Sequence, residues 1–202
     1  MLKTDKILDA NYWDNRYENK TASWDLSTIS LPIKAYIDQL SNKNVSILIM
    51  GCGNAHEADY LVEKGFTDIT LIDIAPTLVE KLKEKFAKNT HVKIILGDFF
   101  ELNQPFDLVF EQTLFCAINP NLRQKYVQKM KEIVVPNGKI VGVMFNKYFE
   151  KEGPPFGGSK EEYFNHFKND FEIKTLEDCY NSVETRKGTE VFVNFVRKES
   201  TT

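Results

Sequence analysis

Three cysteines in 202 residues, Cys52, Cys116 and Cys179, are too few, too widely spaced and odd in number to form a disulfide framework, and no C-x-x-C pair marks a zinc site. They read as reduced thiols of a cytoplasmic protein. Histidine is equally sparse, with three scattered residues, so no metal centre is expected. No apolar run approaches the roughly 20 residues that a membrane span requires. The opening MLKTDKILDANYWD is charged and lacks the apolar stretch of a signal peptide. An excess of one charge is also missing: 26 basic and 29 acidic residues are mixed along the chain for a net charge of −3, with no basic stripe. Nucleic-acid binding through phosphates is therefore not expected. No repeat, low-complexity tract or linker interrupts the chain, which predicts one domain over residues 1–202, and 42% hydrophobic content suffices for its core.

What is present is a strand pattern alternating with a helix pattern. Strands are predicted at 45–50, 69–72, 92–96, 106–110 and 139–145, and helices at 55–64, 76–87, 119–134 and 161–167. Two β-rich segments, 171–176 and 190–196, finish the chain, and helical segments at 10–20 and 31–40 precede the first strand. Pro136-Asn137-Gly138 reads as a turn into the fifth strand. This order predicts an α/β fold, a doubly wound Rossmann-like sheet with helices on both faces. Residues 1–42 form a helical lid segment and 43–199 the core. In such sheets the ligand lies beyond the carboxyl ends of the strands.

The first strand, VSILIM, breaks into Gly51-Cys52-Gly53, and Asp73 closes the second strand twenty positions after Gly53. Glycine allows a tight turn and close approach of backbone to ligand, while a carboxylate at the next strand tip accepts hydrogen bonds from a ribose diol. An adenosine-type cofactor is expected. A nicotinamide fits poorly, because G-x-G-x-x-G would require a third glycine where this chain has Glu57. An acid there repels a pyrophosphate and suits a cofactor with a cationic end and no phosphate, such as S-adenosyl-L-methionine.

The remaining strand ends carry further candidates. Asp98 and Phe99 follow the third strand and suit an adenine, or else a capped turn with a core ring. Glu111 and Gln112 follow the fourth strand and are candidates for the site or for plain solvent exposure. Tyr12, Trp13, Tyr17 and Trp24 crowd a charged segment, as a lid over a cationic ligand or as a helix stapled to the sheet. The glycine- and proline-rich loop 152–159 follows the fifth strand, as a substrate cover or a long connection. Cys116 reads as a small buried residue and not as a nucleophile.

The stretches YWDNRYENKTASWDL, ILIMGCGNAHEADYL, TLIDIAP, GDFF, FDLVFEQTLFCAINPNLRQKY, PNGKIVGVMF, EGPPF and ETRKG, in that order, resemble the thiopurine methyltransferase superfamily, most closely its halide and thiol methyltransferase branch. The resemblance covers nearly the whole chain. It implies a class I methyltransferase fold, seven strands with the last antiparallel, and S-adenosyl-L-methionine as methyl donor. Trp13, Tyr17 and Trp24 would enclose the methionine end, with Gly51 and Gly53 in the backbone-lined turn. Asp73 and the adjoining Ile74 would meet the ribose, Asp98 and Phe99 the adenine, and Glu111 the methionine portion. The acceptor would be a thiol, sulfide or halide attacked in line, helped by Arg186, Tyr148 and Phe156 of the GPPF loop. For Arg186 a surface salt bridge is the competing reading. A thiopurine or other aromatic thiol acceptor, and a binding protein without catalysis, are the alternatives. No partner beyond the small acceptor is expected, and a monomer is the expected form.

Overall fold

A computed structural model describes residues 7–199, so the outermost ends of the expected 1–202 domain lie outside the described residues. One seven-stranded sheet runs in the order β3-β2-β1-β4-β5-β7-β6. Its strands are β1 Ile47–Met50, β2 Ile69–Asp73, β3 Val92–Leu96, β4 Phe106–Gln112, β5 Val134–Phe145, β6 Phe171–Asp178 and β7 Glu190–Arg197. β7 runs antiparallel to both neighbours and the rest are parallel, as expected. The helices are α1 Ala10–Glu18, α2 Leu31–Ile37, α3 His56–Glu63, α4 Pro76–Lys85, α5 Arg123–Ile133 and α6 Lys160–Phe167.

The central strands β1 and β2 are apolar at nearly every position and buried throughout, because helices cover both of their faces. On one face Ile33 and Ile37 of α2, Leu61 of α3 and Leu78 of α4 pack on Ile47, Ile69, Leu108 and Phe110. On the other, Tyr126, Val127 and Met130 of α5 and Phe167 of α6 pack on Leu48, Val109, Ile140 and Val193. Burying one such aliphatic or aromatic side chain stabilises the fold by about 1.5–3 kcal/mol. Strand order reverses between β1 and β4, so their carboxyl ends open a crevice at the topological switch point.

Several boundaries differ from expectation. The helix expected at 119–134 starts as a short 3-10 turn, Pro120–Leu122, and only Arg123–Ile133 is α-helical. The Pro136-Asn137-Gly138 turn is not a strand start. Phe106 pairs Val134 and Leu108 pairs Lys139, so these residues bulge out within β5, with Asn137 at φ 64°. The helix expected from Ala55 begins at His56, because Ala55 is left-handed at φ 57°.

Three long-range clasps fix the N-terminal helices over the sheet. Thr77 at the start of α4 donates its N–H (2.8 Å) and hydroxyl (3.0 Å) to Asp14 of α1. Asp25 accepts from Asn54 Nδ2 (2.6 Å) and the Ser27 N–H (2.9 Å), and lies 2.8 Å from His56 Nε2. Arg186 Nη2 donates to the Trp24 carbonyl at 2.8 Å.

Candidate functional site

A cavity of about 550 Å³ opens at the carboxyl edge of the sheet, roofed by α1 and the segment after it. That is the size at which small-molecule sites form. The strand order acts as a ruler across it. Asp73 and Ile74 come from the tip of β2, Asp98, Phe99 and Phe100 from the tip of β3, and Gly51 from β1 at the middle. Thr113, Leu114 and Cys116 follow β4, while Phe145, Pro154, Pro155 and Arg186 lie on the β5–β7 side.

Of the two glycines expected to meet the cofactor, only Gly51 lines the cavity. Gly51 has φ +55°, a strained conformation for any other residue, and a Cβ there would lie 2.9 Å from Leu114 Cδ1 and push that side chain aside. Gly53 does not line the cavity; its N–H donates to Asp73 Oδ2 at 3.2 Å while the Ala75 N–H donates to Oδ1 at 3.0 Å. Burial raises the Asp73 carboxyl above its usual value, and the N–H donors from Ala75, Gly53 and Ile74 offset only part of that. The carboxylate retains acceptor capacity for a ligand hydroxyl. Asp98 accepts the Phe100 N–H at 3.0 Å, which caps the turn, and it also lines the cavity.

α1 presents Tyr12, Trp13, Arg16 and Tyr17 to the cavity, the i, i+3, i+4 face of one helix. Trp24 meets Trp13 and Tyr17 edge-on, with ring centroids 5.4 Å and 5.7 Å away. Burial, then the neighbouring Asp73 charge, pushes the Tyr17 hydroxyl up and keeps it neutral. The aromatic segment thus packs its rings against one another and roofs the cavity.

Arg186 lines the cavity and is no surface residue. Its Nη1 lies 3.4 Å from Glu190 Oε1 in a largely buried pair, and its guanidinium carbon stands 5.7 Å from the Phe145 ring centroid. Cys116 also lines the cavity, and burial pushes its thiol up to about 12, an inert state for a nucleophile.

Four sequence expectations are corrected. Glu111 is buried, 1% exposed, and lies outside the cavity lining. Strand alternation turns it toward α5, where it accepts from Tyr126 Oη (2.7 Å) and from the N–H groups of Leu114 and Phe115 (2.9 and 2.8 Å), so it braces the turn after β4. Tyr148 is 71% exposed and off the cavity, near Glu162. Phe156 is buried beneath the loop, its N–H donating to the Cys116 carbonyl at 2.6 Å, and the neighbouring prolines form the wall in its place. Glu57 does not face the cavity either; it is buried and accepts the Ser30 N–H at 3.4 Å. Sequence reasoning missed Arg16, Thr113 and Lys125 on the cavity wall. The i+3 spacing of Arg16 from Trp13 was the available signal.

A family model described as thiopurine S-methyltransferase matches residues 8–201. The chain belongs to the thiopurine S-methyltransferase family. It is therefore an S-adenosyl-L-methionine-dependent methyltransferase, and the site residues fit that cofactor: a buried acid with free acceptor sites for the ribose, Asp98 with two phenylalanines for the adenine, and an aromatic roof for a sulfonium. Among relatives, the probable thiol methyltransferase 2 of Arabidopsis thaliana is 29% identical over 184 residues, covering 88% of this chain and 81% of its own. Thiocyanate methyltransferase 1 of Brassica oleracea is 27% identical with the same coverage, 88% and 81%. The solved structure of Burkholderia thailandensis 1,6-didemethyltoxoflavin-N1-methyltransferase, with 1,6-didemethyltoxoflavin and S-adenosylhomocysteine bound, shares the fold. Its TM-score is 0.74 at 14% identity, covering 94% of this chain and 87% of that one.

Proposed function

We propose that this family member transfers the methyl group to a small soft nucleophile, a thiol, sulfide or halide, that reaches the site already ionised. The charge inventory of the cavity carries this reading. Among the described residues its only carboxylates are Asp73 and Asp98, both engaged by backbone N–H groups on the β2–β3 side. No histidine lines it, the Cys116 thiol is pushed up to about 12, and the Tyr17 hydroxyl is pushed up too. Among the described residues no poised general base therefore lines the cavity, whereas three cations, Arg16, Lys125 and Arg186, do.

When bound, S-adenosyl-L-methionine supplies an electrophilic methyl on a sulfonium, open to in-line displacement. Asp73 and Asp98 orient the nucleoside, and Trp13, Tyr17 and Trp24 exclude water from above. Phe145, Pro154 and Pro155 shape a small apolar acceptor wall, and Arg186 attracts the anion to it. Alignment of this kind contributes about 7–11 kcal/mol in well-fixed systems. A thiol of ordinary pKa, about 8.5, is only a few per cent ionised at neutral pH, so a nearby guanidinium helps.

The site is complete within one chain, which supports a monomer, with residues 7–42 as roof and 43–199 as core. All three cysteines are free and buried, which supports a reducing, cytoplasmic setting. The test is turnover to S-adenosylhomocysteine across a panel of iodide, thiocyanate, sulfide, short thiols, thiophenols and a thiopurine. Small anions and short thiols should lead. Thiophenol or thiopurine outcompeting them all would transfer the assignment to an aromatic thiol, and no turnover with any would reject the substrate class. Arg186→Gln should raise KM for iodide by roughly tenfold, the scale of one charged contact.

A further inference from the structure

Arg16 is a cation that the fold leaves half used. It belongs to the face of α1 that lines the cavity, between Trp13 and Tyr17. Its Nη2 donates to the Thr21 carbonyl at 2.9 Å, and its guanidinium carbon stands 5.4 Å from the Trp24 ring centroid. Its Nε is buried with no acceptor in reach, and among the described residues no carboxylate lies within ion-pair distance. The other cavity cations differ: Arg186 is paired with Glu190, and Lys125 is exposed with its amine 4.4 Å from the Phe100 ring centroid at the β3 side. An N–H buried without an acceptor is costly to fold around, and a guanidinium fork matches a carboxylate in geometry and charge.

The position of Arg16 says which carboxylate. The Tyr17 hydroxyl, one residue on, stands 3.4 Å from where a Cβ on Gly53 would be, so this face of α1 overlies the glycine turn after β1. With the ribose at Asp73 and the adenine at Asp98, the far end of the nucleoside would extend over that turn toward Arg16, Ser23 and Trp24, which line the same cavity. We propose that Arg16 is an anion-binding residue of this cavity and takes the carboxylate at the methionine end of the cofactor. This rests on the cofactor assignment given above. The Trp24 ring beside the guanidinium and the Thr21 carbonyl on one of its nitrogens restrain the fork before the ligand arrives.

The test compares two ligands that share the nucleoside and differ in the amino-acid tail: S-adenosylhomocysteine, with the carboxylate, and 5′-methylthioadenosine, without it. Dissociation constants are measured by titration calorimetry for the wild type, Arg16→Gln and Arg16→Lys. Arg16→Gln should weaken S-adenosylhomocysteine by about tenfold to a hundredfold and leave 5′-methylthioadenosine within about twofold. Arg16→Lys should recover part of the loss, since it keeps the charge but not the fork. Equal weakening of both ligands would reduce Arg16 to a structural part of the roof, and unchanged binding of both would free it from the cofactor; either overturns the proposal. Unchanged binding with a raised KM for iodide would reassign the guanidinium to an anionic acceptor. Failure of the wild type to bind either nucleoside would overturn the cofactor assignment as well, and the wild-type titrations separate that result from the others.

Discussion

Asp73→Ala tests the centre of the cavity. Asp73 is almost wholly buried, and its two oxygens already accept one backbone N–H each, from Gly53 and Ala75. A carboxylate accommodates about four hydrogen bonds, and the Ile74 N–H also faces it, so at least one site remains for a ribose hydroxyl. A hydrogen bond to a charged acceptor contributes about 1.5–3 kcal/mol, and every 1.4 kcal/mol is about tenfold in Kd. The variant should therefore bind S-adenosylhomocysteine about tenfold to 150-fold more weakly. Adenosine, which keeps the ribose and lacks the tail, should lose the same factor. The substitution also strands the Gly53 and Ala75 N–H groups, at about 1–3 kcal/mol for each that water does not reach, so the unliganded Tm should fall. Titration calorimetry below that Tm reads the two affinities apart from the stability. An unchanged Kd in the folded variant, or a loss for S-adenosylhomocysteine without one for adenosine, would refute the placement of the ribose on this carboxylate.

Trp24→Ala removes the ring that meets Trp13 and Tyr17 and supports Arg16; affinity for S-adenosylhomocysteine should fall by at least about tenfold, and calorimetry showing none would refute the roof. The Asp25 carboxyl titrates below its ordinary 3.8, because burial, which acts upward, is outweighed by hydrogen bonds from Ser27, His56 and Asn54. A depressed folded-state pKa adds stability above the ordinary value and loses it as pH falls through the depressed one. Asp25→Asn should thus destabilise by about 1 kcal/mol at neutral pH, allowing for partial exposure, with the gap narrowing in denaturant melts as pH falls below the ordinary 3.8. Arg123, 2% exposed, holds the acceptor loop by donating to the Gly157 carbonyl (2.9 Å) and pairing with Glu162. Arg123→Met should lower stability by about 3–5 kcal/mol, with Glu162→Gln restoring part of it in chemical melts. Cys116→Ala should keep kcat within about threefold, since direct displacement needs no enzyme thiol.

The parts of the site that are legible in the sequence are those that follow the strand tips. Gly51, Asp73 and Asp98 each come directly after or at the end of an apolar run, and the sheet delivers them to one edge whatever the rest of the chain does. The acids Glu57 and Glu111 sit next to the same edge in sequence yet turn away from it. One is carried around by the first turn of α3 and the other by the two-residue alternation of β4, so their direction depends on which face a helix covers. The clasps were invisible for a different reason. Asp14 with Thr77 and Trp24 with Arg186 are separated by 63 and 162 residues, and no local pattern brings such pairs together. Boundaries failed where geometry outweighed propensity, as at the bulge that absorbs Pro136-Asn137-Gly138 into β5.

The clasps also divide the labour of the molecule along its length. Among the described residues, those before Ser30 contribute no strand to the sheet, yet Trp13, Arg16, Tyr17 and Trp24 supply the ceiling of the chamber. That ceiling is tied at Thr77, at Asn54 and His56, and at Arg186, so lifting it whole would break separate anchorages on α4, on the glycine turn and ahead of β7. The last hairpin of the chain therefore has a say in how long a ligand stays, although most of it lies far from the nucleoside.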